Sequence, residues 1–525
     1  MSTGGIFQLL TNDGKQDRIL MATALLNKRL IEIEQLRTKN PQIKDPTPTL
    51  VDIERTHIFH LNAHFKPFVA IGYEYMITQS ESGSVDWGTE ITFSLPQFGD
   101  FFHDMCIHVV LEDLVPVDKN THNNPNGSDL PQVRDQVRYC EYPGERFLEN
   151  VSFEVNKNPL DSYTSDDVVF HRQFHVPRDK RAGWDRNMGQ QLTHTGTLIH
   201  NPGSEEFAEQ KLFTNGRQTW KNSHTRLEMW IPLLFWFNLD ASLSIPSVSI
   251  PYGQRFIKTK LAEAEDLCEG ISYHGGTGAF TNPVIARCEL YTNNIFVNPE
   301  IHDIFIKRIG FTMVRVHVRQ RIHIEQNISS LKLNRLKWPV ESMYIGLRPT
   351  SQTNHQNWHY FSRVTTNTKK IPVAYPPVSG FPNIPSLGFS DATWRTFEPV
   401  FQEVGLEAHG TTLYENNRES FYNSYIPYVR GNTNTPEDRG ALMISFNIHS
   451  GSYQPSGYVN LSRTREMYLN FTSPTLNTSN RATLIVSARA INFLLVSDGS
   501  AILRNSTKIT KLINIVKIKR KKSHN

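Results

Sequence analysis

Apolar residues recur at helical spacing near the start of the chain. Within residues 15–37 they occupy one face of a predicted helix, at Ile19, Ala22, Leu26, Leu30 and Ile33. The prolines at 41, 46 and 48 then separate this segment from the rest of the chain. The pattern predicts an amphipathic helix in an N-terminal segment, residues 1–45, whose apolar stripe needs a partner elsewhere.

From about residue 56, short apolar runs alternate with turn residues, which predicts β-strands. The clearest run is residues 314–324, where Val314, Val316 and Val318 alternate with polar side chains. Other strands are predicted at residues 91–95, 105–111, 147–155, 242–250, 256–261, 290–297, 344–347, 442–448 and 484–496. Because helices separate few of these strands, the pattern excludes a parallel α/β sheet and leaves antiparallel sandwiches or barrels.

The polar side of the strand at residues 314–324 is cationic. It consists of Arg315, His317, Arg319, Arg321 and His323. Such a row can bind phosphate groups, but one side of a half-buried antiparallel strand must be polar simply to face water. We favour the second interpretation, a solvent-exposed face.

Three long segments lack a regular period: residues 112–136, 176–225 and 366–398. Loops of this length in compact domains are usually functional surfaces. Near the middle of the chain, Asn298 followed by Pro299 resembles the start of a helix, with an N-cap and a proline at the first helical position. We therefore predict a connector helix at residues 298–308, where one domain ends and another begins.

Length and composition indicate two packed domains. The 525 residues exceed the size at which a single core stops growing, and 38% of them are apolar. Uninterrupted apolar stretches are far shorter than the ~20 residues that span a bilayer. The four cysteines, Cys106, Cys140, Cys268 and Cys288, lack the spacing of a zinc or redox motif, so we expect reduced core residues.

The formal net charge of +4 comes from the C-terminal tail. Seven of the 55 basic residues lie in the last 18 positions, which leaves 48 basic against 51 acidic residues in the body. A body so nearly neutral predicts no stripe for a nucleic-acid backbone. The tail, residues 504–525, ends in the basic group Lys517, Lys519, Arg520, Lys521 and Lys522. It suits anionic lipid, the genome or a nuclear import receptor, or it is simply solvated.

Catalytic and cofactor motifs are absent from the sequence: there is no phosphate-binding loop, dinucleotide fingerprint, zinc-protease helix or nucleophile elbow. His57, His60 and His64 are the best metal candidates, but on a strand the first two point to opposite faces. His323 and Glu325 share a strand face, as ligands do in double-domain cupin enzymes, without the His-x-His those sites use. We expect no catalytic, cofactor or metal site.

Several segments resemble one family in order along the chain. They are Gly4-Gly5 with residues 12–15, NAHFKP at 62–67, PQFGDFFHDM at 96–105, YCEYPGERFLENV at 139–151, IPSVSIP at 245–251, residues 294–307, LKWPVE at 336–341, YQPSG at 453–457 and INFLL at 491–495. The chain thus resembles the major capsid proteins of African swine fever virus and its asfarvirus-like relatives, which are double jelly-roll proteins of nucleocytoplasmic large DNA viruses.

The resemblance implies an all-β double jelly-roll: two eight-stranded antiparallel sandwiches at residues 46–297 and 309–503, behind an N-terminal helical base. It also implies a homotrimeric, pseudo-hexagonal capsomer of an icosahedral shell, assembled in the host cytoplasm and contacting neighbouring capsomers, penton and minor capsid proteins. A virus-encoded folding chaperone is implied as well. A sugar-binding β-sandwich module and a cupin-like enzyme remain the alternatives.

Two departures limit the resemblance. The relative carries a much longer insertion where this chain has residues 176–225, so the outer loops here should be lower. The relative also ends near the position of Ser506, which leaves the basic tail without a counterpart.

Overall fold

The computed structural model describes residues 71–118, 135–190, 194–200, 207–212, 220–247, 254–272, 276–298, 310–325, 330–374, 387–497 and 500–504, apart from residues 82, 355, 463 and 465, together with Gln35, Thr38, Gln218 and Ile250. The predicted N-terminal helix, nearly all of the connector at 298–308 and the tail beyond Arg504 lie outside these residues. No helix in the described part of the chain is long and apolar enough to cross a membrane.

The strands of the N-terminal half are β1 Gly72–Gln79, β2 Glu90–Ser94, β3 Phe101–Leu111, β4 Val115–Pro116, β5 Gln136–Tyr139, β6 Leu148–Val155, β7 Asn158–Thr164, β8 His194–His200, β9 Phe207–Leu212, β10 Leu227–Pro232, β11 Ile245–Pro246, β12 Arg255–Leu261, β13 Cys268–Ile271, β14 Phe280–Thr281 and β15 Ile285–Phe296. Those of the C-terminal half are β16 Gly310–Ile324, β17 Ser330–Lys332, β18 Pro339–Pro349, β19 Ser362–Ala374, β20 Leu387–Pro399, β21 Glu403–Ala408, β22 Thr411–Arg418, β23 Ala441–Ser445, β24 Val459–Asn460, β25 Met467–Thr472, β26 Ala482–Ser497 and β27 Ser500–Leu503.

Within residues 71–504, the described helices are short and lie between strands. They are α1 Pro143–Phe147, α2 Ser165–Phe174, α3 Arg181–Asn187, α4 Trp236–Leu239, α5 Ala264–Leu267, α6 Thr350–Asn354 and α7 Ile426–Val429, with 3-10 turns at Arg178–Lys180 and Ala241–Leu243 and a π-helical turn at Phe421–Tyr425. The π turn runs directly into α7, so residues 421–429 form one helical segment.

The same antiparallel strand order occurs twice. In the N-terminal half, one sheet has the order β1-β15-β3-β10 and the other the order β2-β12-β6-β7. In the C-terminal half, β16-β26-β18-β23 and β17-β25-β21-β22 repeat both orders position for position. Four plus four antiparallel strands connected in this Greek-key manner constitute a jelly-roll. The chain is therefore an all-β double jelly-roll, which confirms the antiparallel β fold predicted from the strand pattern and the double jelly-roll implied by the resemblance.

Alternation along the strands builds the sandwich interiors. In β2, Ile91 and Phe93 are fully buried while their neighbours are more exposed, and in β16 Val314 and Val316 do the same. The buried apolar side chains of both jelly-rolls join into one continuous cluster, in which Phe170 of α2 is a member. The two predicted cores are therefore in contact.

Three local predictions were wrong. The strand predicted at 242–250 is a 3-10 turn and a two-residue strand, because the Asp240 carboxylate accepts the Ser242 backbone N–H at 2.8 Å and caps the turn. Two segments without a visible period contain hairpins: β8 pairs with β9 and β19 with β20. The segments carry no regular alternation of apolar and polar residues in the sequence, so periodicity does not reveal these strands.

Candidate assembly site at the junction of the jelly-rolls

Helix α2 is the central element of the junction between the jelly-rolls. It begins directly after β7, where the Thr164 backbone N–H donates to the Asp167 carboxylate at 2.7 Å, an arrangement typical of a capping box. The other oxygen of that carboxylate accepts the Ser487 hydroxyl of β26 in the second jelly-roll. Nine of the ten helix residues are buried. The cap thus fixes the helix start and binds it to the neighbouring domain.

Asp166, on the first turn of α2, meets two arginines of the second jelly-roll. Its carboxylate lies 2.8 Å from the Arg348 guanidinium and accepts the Arg321 Nε–H at 2.9 Å. Burial alone would raise the pKa of Asp166, but Arg348 and then Arg321 outweigh it and lower the pKa to about 2. The carboxylate is therefore ionised at neutral pH and shared between two cations.

The cationic face of β16 continues this contact. The His317 backbone N–H donates to Asp161 at 3.0 Å, and its ring Nδ1 lies 3.1 Å from the other carboxylate oxygen. Arg319 donates to the Ser162 carbonyl at 2.7 Å. The predicted solvent-exposed face is therefore correct only for Arg321 and His323, which remain exposed, whereas His317 and Arg319 are half-buried against the first jelly-roll. The row faces acidic groups about 150 positions earlier in the chain, which a local pattern cannot reveal.

The two ends of the cationic row make contacts inside their own jelly-roll. Arg315 forms an ion pair with Glu341 and also donates to a loop carbonyl, while the His323 ring contacts the Thr483 hydroxyl at 3.0 Å. Within the described residues, no group of three His, Cys, Asp or Glu could hold a metal ion.

Aromatic side chains of α2 pack beside its charges. The Phe170 ring stacks on Phe361 with centroids 4.6 Å apart, and Phe174 lies 5.0 Å from the Tyr344 ring. The C-terminal end of the helix is held by the loop after α7, since Asn434 donates to the Phe174 carbonyl at 2.7 Å. Apolar stacking and directional hydrogen bonds therefore fix the helix along its length.

Two half-buried histidines, His171 of α2 and His175 directly after it, lie near a cation. Burial, followed by the nearby Arg489 and His317, lowers the pKa of His171 to about 3. The pKa of His175 is also lowered, first by burial and then by Arg489, and its Nε2 lies 2.8 Å from the Tyr344 hydroxyl. Both imidazoles are therefore neutral at pH 7.

A second buried ion pair anchors α2 to its own jelly-roll. Arg172 lies 2.7 Å from Glu145, which also accepts the Trp184 indole N–H at 2.8 Å. The Arg172 guanidinium stacks over the Tyr142 ring at 4.0 Å. Helix α2 is thus bound to the first jelly-roll by this pair and to the second jelly-roll by Asp166 and Asp167.

The residues that the sequence singled out for assembly lie outside the described part of the chain. These are Ile19, Leu26, Leu30 and Ile33 of the N-terminal helix and Lys517, Lys519, Arg520, Lys521 and Lys522 of the tail. The metal candidates His57, His60 and His64 lie outside it as well. The junction residues Asp161, Asp166 and His171 were missed, because no motif marks acids that are paired across domains.

Two jelly-rolls of one strand order, locked by buried charges, define a double jelly-roll structural protein. Residues 73–298 match the family model described as major capsid protein N-terminus, and residues 296–502 match the one described as large eukaryotic DNA virus major capsid protein. The major capsid protein of African swine fever virus (isolate Pig/Kenya/KEN-50/1950) is 35% identical over 648 aligned positions, which cover 97% of this chain and all of the relative.

Solved structures agree with these matches. The Faustovirus major capsid protein has a TM-score of 0.72 and 34% identity, covering 92% of this chain and all of that one. A chain of the PBCV-1 virus capsid shares the fold at a TM-score of 0.59 and 15% identity, covering 85% of this chain and 99% of that one. The chain belongs to the major capsid proteins of large eukaryotic DNA viruses.

Proposed function

We propose that three copies of the chain form a pseudo-hexagonal capsomer, the repeating unit of an icosahedral outer shell. The observation that carries this proposal is the strand order that occurs twice within one chain. Because each chain presents two similar jelly-rolls, a ring of three presents six similar sides to its neighbours. The buried junction supports the same idea, since it holds the two jelly-rolls at one angle.

The proposed division of the chain has five parts. Residues 46–297 and 309–503 form the two jelly-rolls, with a connector at 298–308. Residues 1–45 form a base whose apolar stripe, Ile19, Leu26, Leu30 and Ile33, docks beneath the shell onto a neighbour or an inner-membrane protein. The tail at 504–525 extends inward, where Lys517, Lys519, Arg520, Lys521 and Lys522 meet anionic lipid head groups.

We also propose the partners and the location. The capsomer contacts neighbouring capsomers, penton proteins and minor capsid proteins, and a virus-encoded chaperone assists folding before assembly in the host cytoplasm. The protein performs no catalysis and needs no cofactor. The charged side chains concentrated at the junction support a structural role, because they pair with one another across the domains.

Electron microscopy of the purified protein tests the capsomer. The expected image is a ring of six similar lobes around a three-fold axis, formed by three chains. Isolated two-lobed particles at micromolar concentration would contradict the proposal.

A further inference from the structure

Each surface of one jelly-roll has a counterpart on the other, because the strand orders are the same. In both, a helical segment follows the outermost strand of the second sheet: α2 follows β7, and residues 421–429 follow β22. In both, β1 or β16 forms the corresponding edge of the first sheet. A contact made between the two jelly-rolls of one chain can therefore recur between chains.

Within the chain, one such contact is formed. Helix α2 of the first jelly-roll covers the outer face of the second jelly-roll's first sheet, where Arg321, Arg348 and Ser487 meet its acidic first turn. These residues lie on β16, β18 and β26. The interface thus consists of a helix after the second sheet of one domain and the outer face of the first sheet of the next.

The counterparts of both surfaces are exposed to solvent. On β1, Tyr73, Tyr75 and Ile77 are 52%, 56% and 49% exposed and lie on the outer face of the sheet. The same face continues into β15 and β10, because Ile77 pairs with Tyr291, whose ring lies 5.0 Å from that of Trp230. These residues define an aromatic stripe, in which the Tyr75 hydroxyl donates to the Asp104 carboxylate at 2.9 Å and Tyr291 and Trp230 are half-buried. Exposed apolar side chains grouped in this way are typical of an interaction site.

The helical segment at residues 421–429 exposes a matching surface. Tyr425, Tyr428 and Val429 are 55%, 83% and 50% exposed, and their spacing places them on one helix face. Tyr422 and Ile426, on the adjacent side of the segment, are buried against the second jelly-roll. The buried side chains hold the segment on its own jelly-roll, and Tyr425, Tyr428 and Val429 remain directed toward solvent.

The chemistry of the four surfaces specifies which helix fits which sheet. Helix α2 brings Asp166 and Asp167 to a row of arginines and histidines, whereas residues 421–429 contain no charged residue and the facing edge on β1 is aromatic. Placing α2 on the aromatic stripe would bury its carboxylates without their cations, at a large cost in free energy. The charged pair therefore belongs within the chain and the apolar pair between chains.

We propose that residues 421–429 of one chain dock on the aromatic stripe of a second copy, repeating between chains the contact that α2 makes within one. The aromatic stripe lies on the first sheet of its sandwich and β7 on the opposite sheet, so the stripe faces away from the junction. The contact is consequently head-to-tail, and such contacts generate a ring when the rotation closes. This inference rests on the proposed trimer and names the surfaces that form it.

Charge introduced on either surface tests the proposal. Tyr428→Lys and Ile77→Asp should each raise the concentration at which the trimer dissociates at least about tenfold, since central interface aromatics are frequent hot spots. The double variant should recover part of the loss through the new opposite charges. Val284→Asp, at an apolar residue outside both surfaces whose exposure of 67% lies between those of Ile77 and Tyr428, should leave the dissociation concentration unchanged. Circular dichroism of each variant separates lost contact from lost fold.

Cross-linking provides a second measurement that does not depend on destabilisation. Ile77→Cys combined with Val429→Cys should give covalent dimers and trimers with a short bis-maleimide, and neither single variant nor the parent protein should do so. The docking surfaces would be overturned if all charge variants formed normal trimers and the double cysteine variant did not cross-link. That outcome would not contradict the proposed capsomer. A monomeric parent protein would instead overturn the capsomer itself.

Discussion

The carboxylate of Asp166 and the guanidinium of Arg348 lie 2.8 Å apart across the junction, with side chains only 4% and 6% exposed. Asp166 belongs to the first jelly-roll and Arg348 to the second, so the pair connects the two domains through residues that are far apart in sequence. Removing one partner of a buried pair leaves the other charge buried without compensation, which lowers the free energy of unfolding strongly. Replacing both partners with apolar residues of similar volume has a much smaller effect. Loss of either partner should therefore destabilise the junction.

Asp166→Asn should destabilise the protein by ~3 to 5 kcal/mol, because Arg348 stays buried without its anion. Lys332→Ala is the control: its pair with Glu466 is largely exposed, and such pairs contribute ~0 to 1 kcal/mol. Urea unfolding followed by tryptophan fluorescence measures both. Equal stability of the two variants would show that the junction pair is not strongly coupled to folding.

Acidification should destabilise the junction through its histidines. The pKa of His171 is lowered to about 3, so the unfolded chain, with the ordinary value near 6.5, binds the proton more tightly. Stability is therefore lost as the pH falls from about 6.5 toward 3, by up to ~1.4 kcal/mol per pH unit for each such histidine. His175 acts in the same direction.

The variant His171→Gln should lose less stability than the parent between pH 7 and pH 5. Exposed His449→Gln is the control and should follow the parent. Asp166 acts only at lower pH: its pKa of about 2 lies below the ordinary 3.8, so its contribution is present above about pH 4 and disappears below it. A parent protein equally stable at both pH values would contradict the histidine account.

Gly440→Ala should lower the unfolding midpoint markedly. A Cβ at this position would lie 2.4 Å from the Phe361 backbone, which cannot move because its N–H donates to the buried Asp438 carboxylate at 2.5 Å. Gly431→Ala, in the same loop, meets nothing within 4 Å and serves as the control. Differential scanning calorimetry should show a lower unfolding midpoint for Gly440→Ala and an unchanged midpoint for Gly431→Ala.

Much of the fold followed from local pattern. The alternation at residues 314–324 predicted β16, and the apolar run at 484–496 predicted most of β26. β1 was missed although Tyr73, Tyr75 and Ile77 recur with the period of a strand, and the pattern does not show that these side chains lie on the exposed side. An apolar face that serves an interface has the same pattern as one that serves a core, and periodicity alone does not distinguish them.

The charge pairs at the junction could not be predicted from the sequence for a different reason. The cationic row was visible, but its partners Asp161 and Asp166 lie in and after a strand of the other jelly-roll. Pairing between residues about 150 positions apart depends on tertiary structure. A signal does exist in retrospect, since a strand with five cationic or imidazole positions on one face needs either solvent or a matching acidic surface.

The N-terminal helix should serve assembly and not trimer formation. Replacing Leu26 and Leu30 with Asp removes apolar contacts that contribute ~1.5 to 3 kcal/mol for each leucine buried on docking. Trimers of this variant should elute normally in size-exclusion chromatography, while particle yield in infected or reconstituted systems falls. Normal particle numbers would contradict a docking role for this helix.

The basic tail should bind anionic membranes. Deleting residues 508–525 removes seven positive charges, each contributing ~1 kcal/mol near an anionic surface, so co-sedimentation with phosphatidylserine liposomes should fall sharply. Binding of the full chain should also weaken as salt screens these charges. Phosphatidylcholine liposomes provide the control, and equal binding of both chains to anionic liposomes would eliminate the lipid contact.

The mass of the purified, folded protein in solution tests the central claim most directly. Light scattering coupled to size-exclusion chromatography should give about 180 kDa at micromolar concentration, three times the 60.2 kDa of one chain. The mass should remain constant on dilution through the micromolar range, as expected for an obligate assembly. A stable species of one chain mass under these conditions would contradict the capsomer.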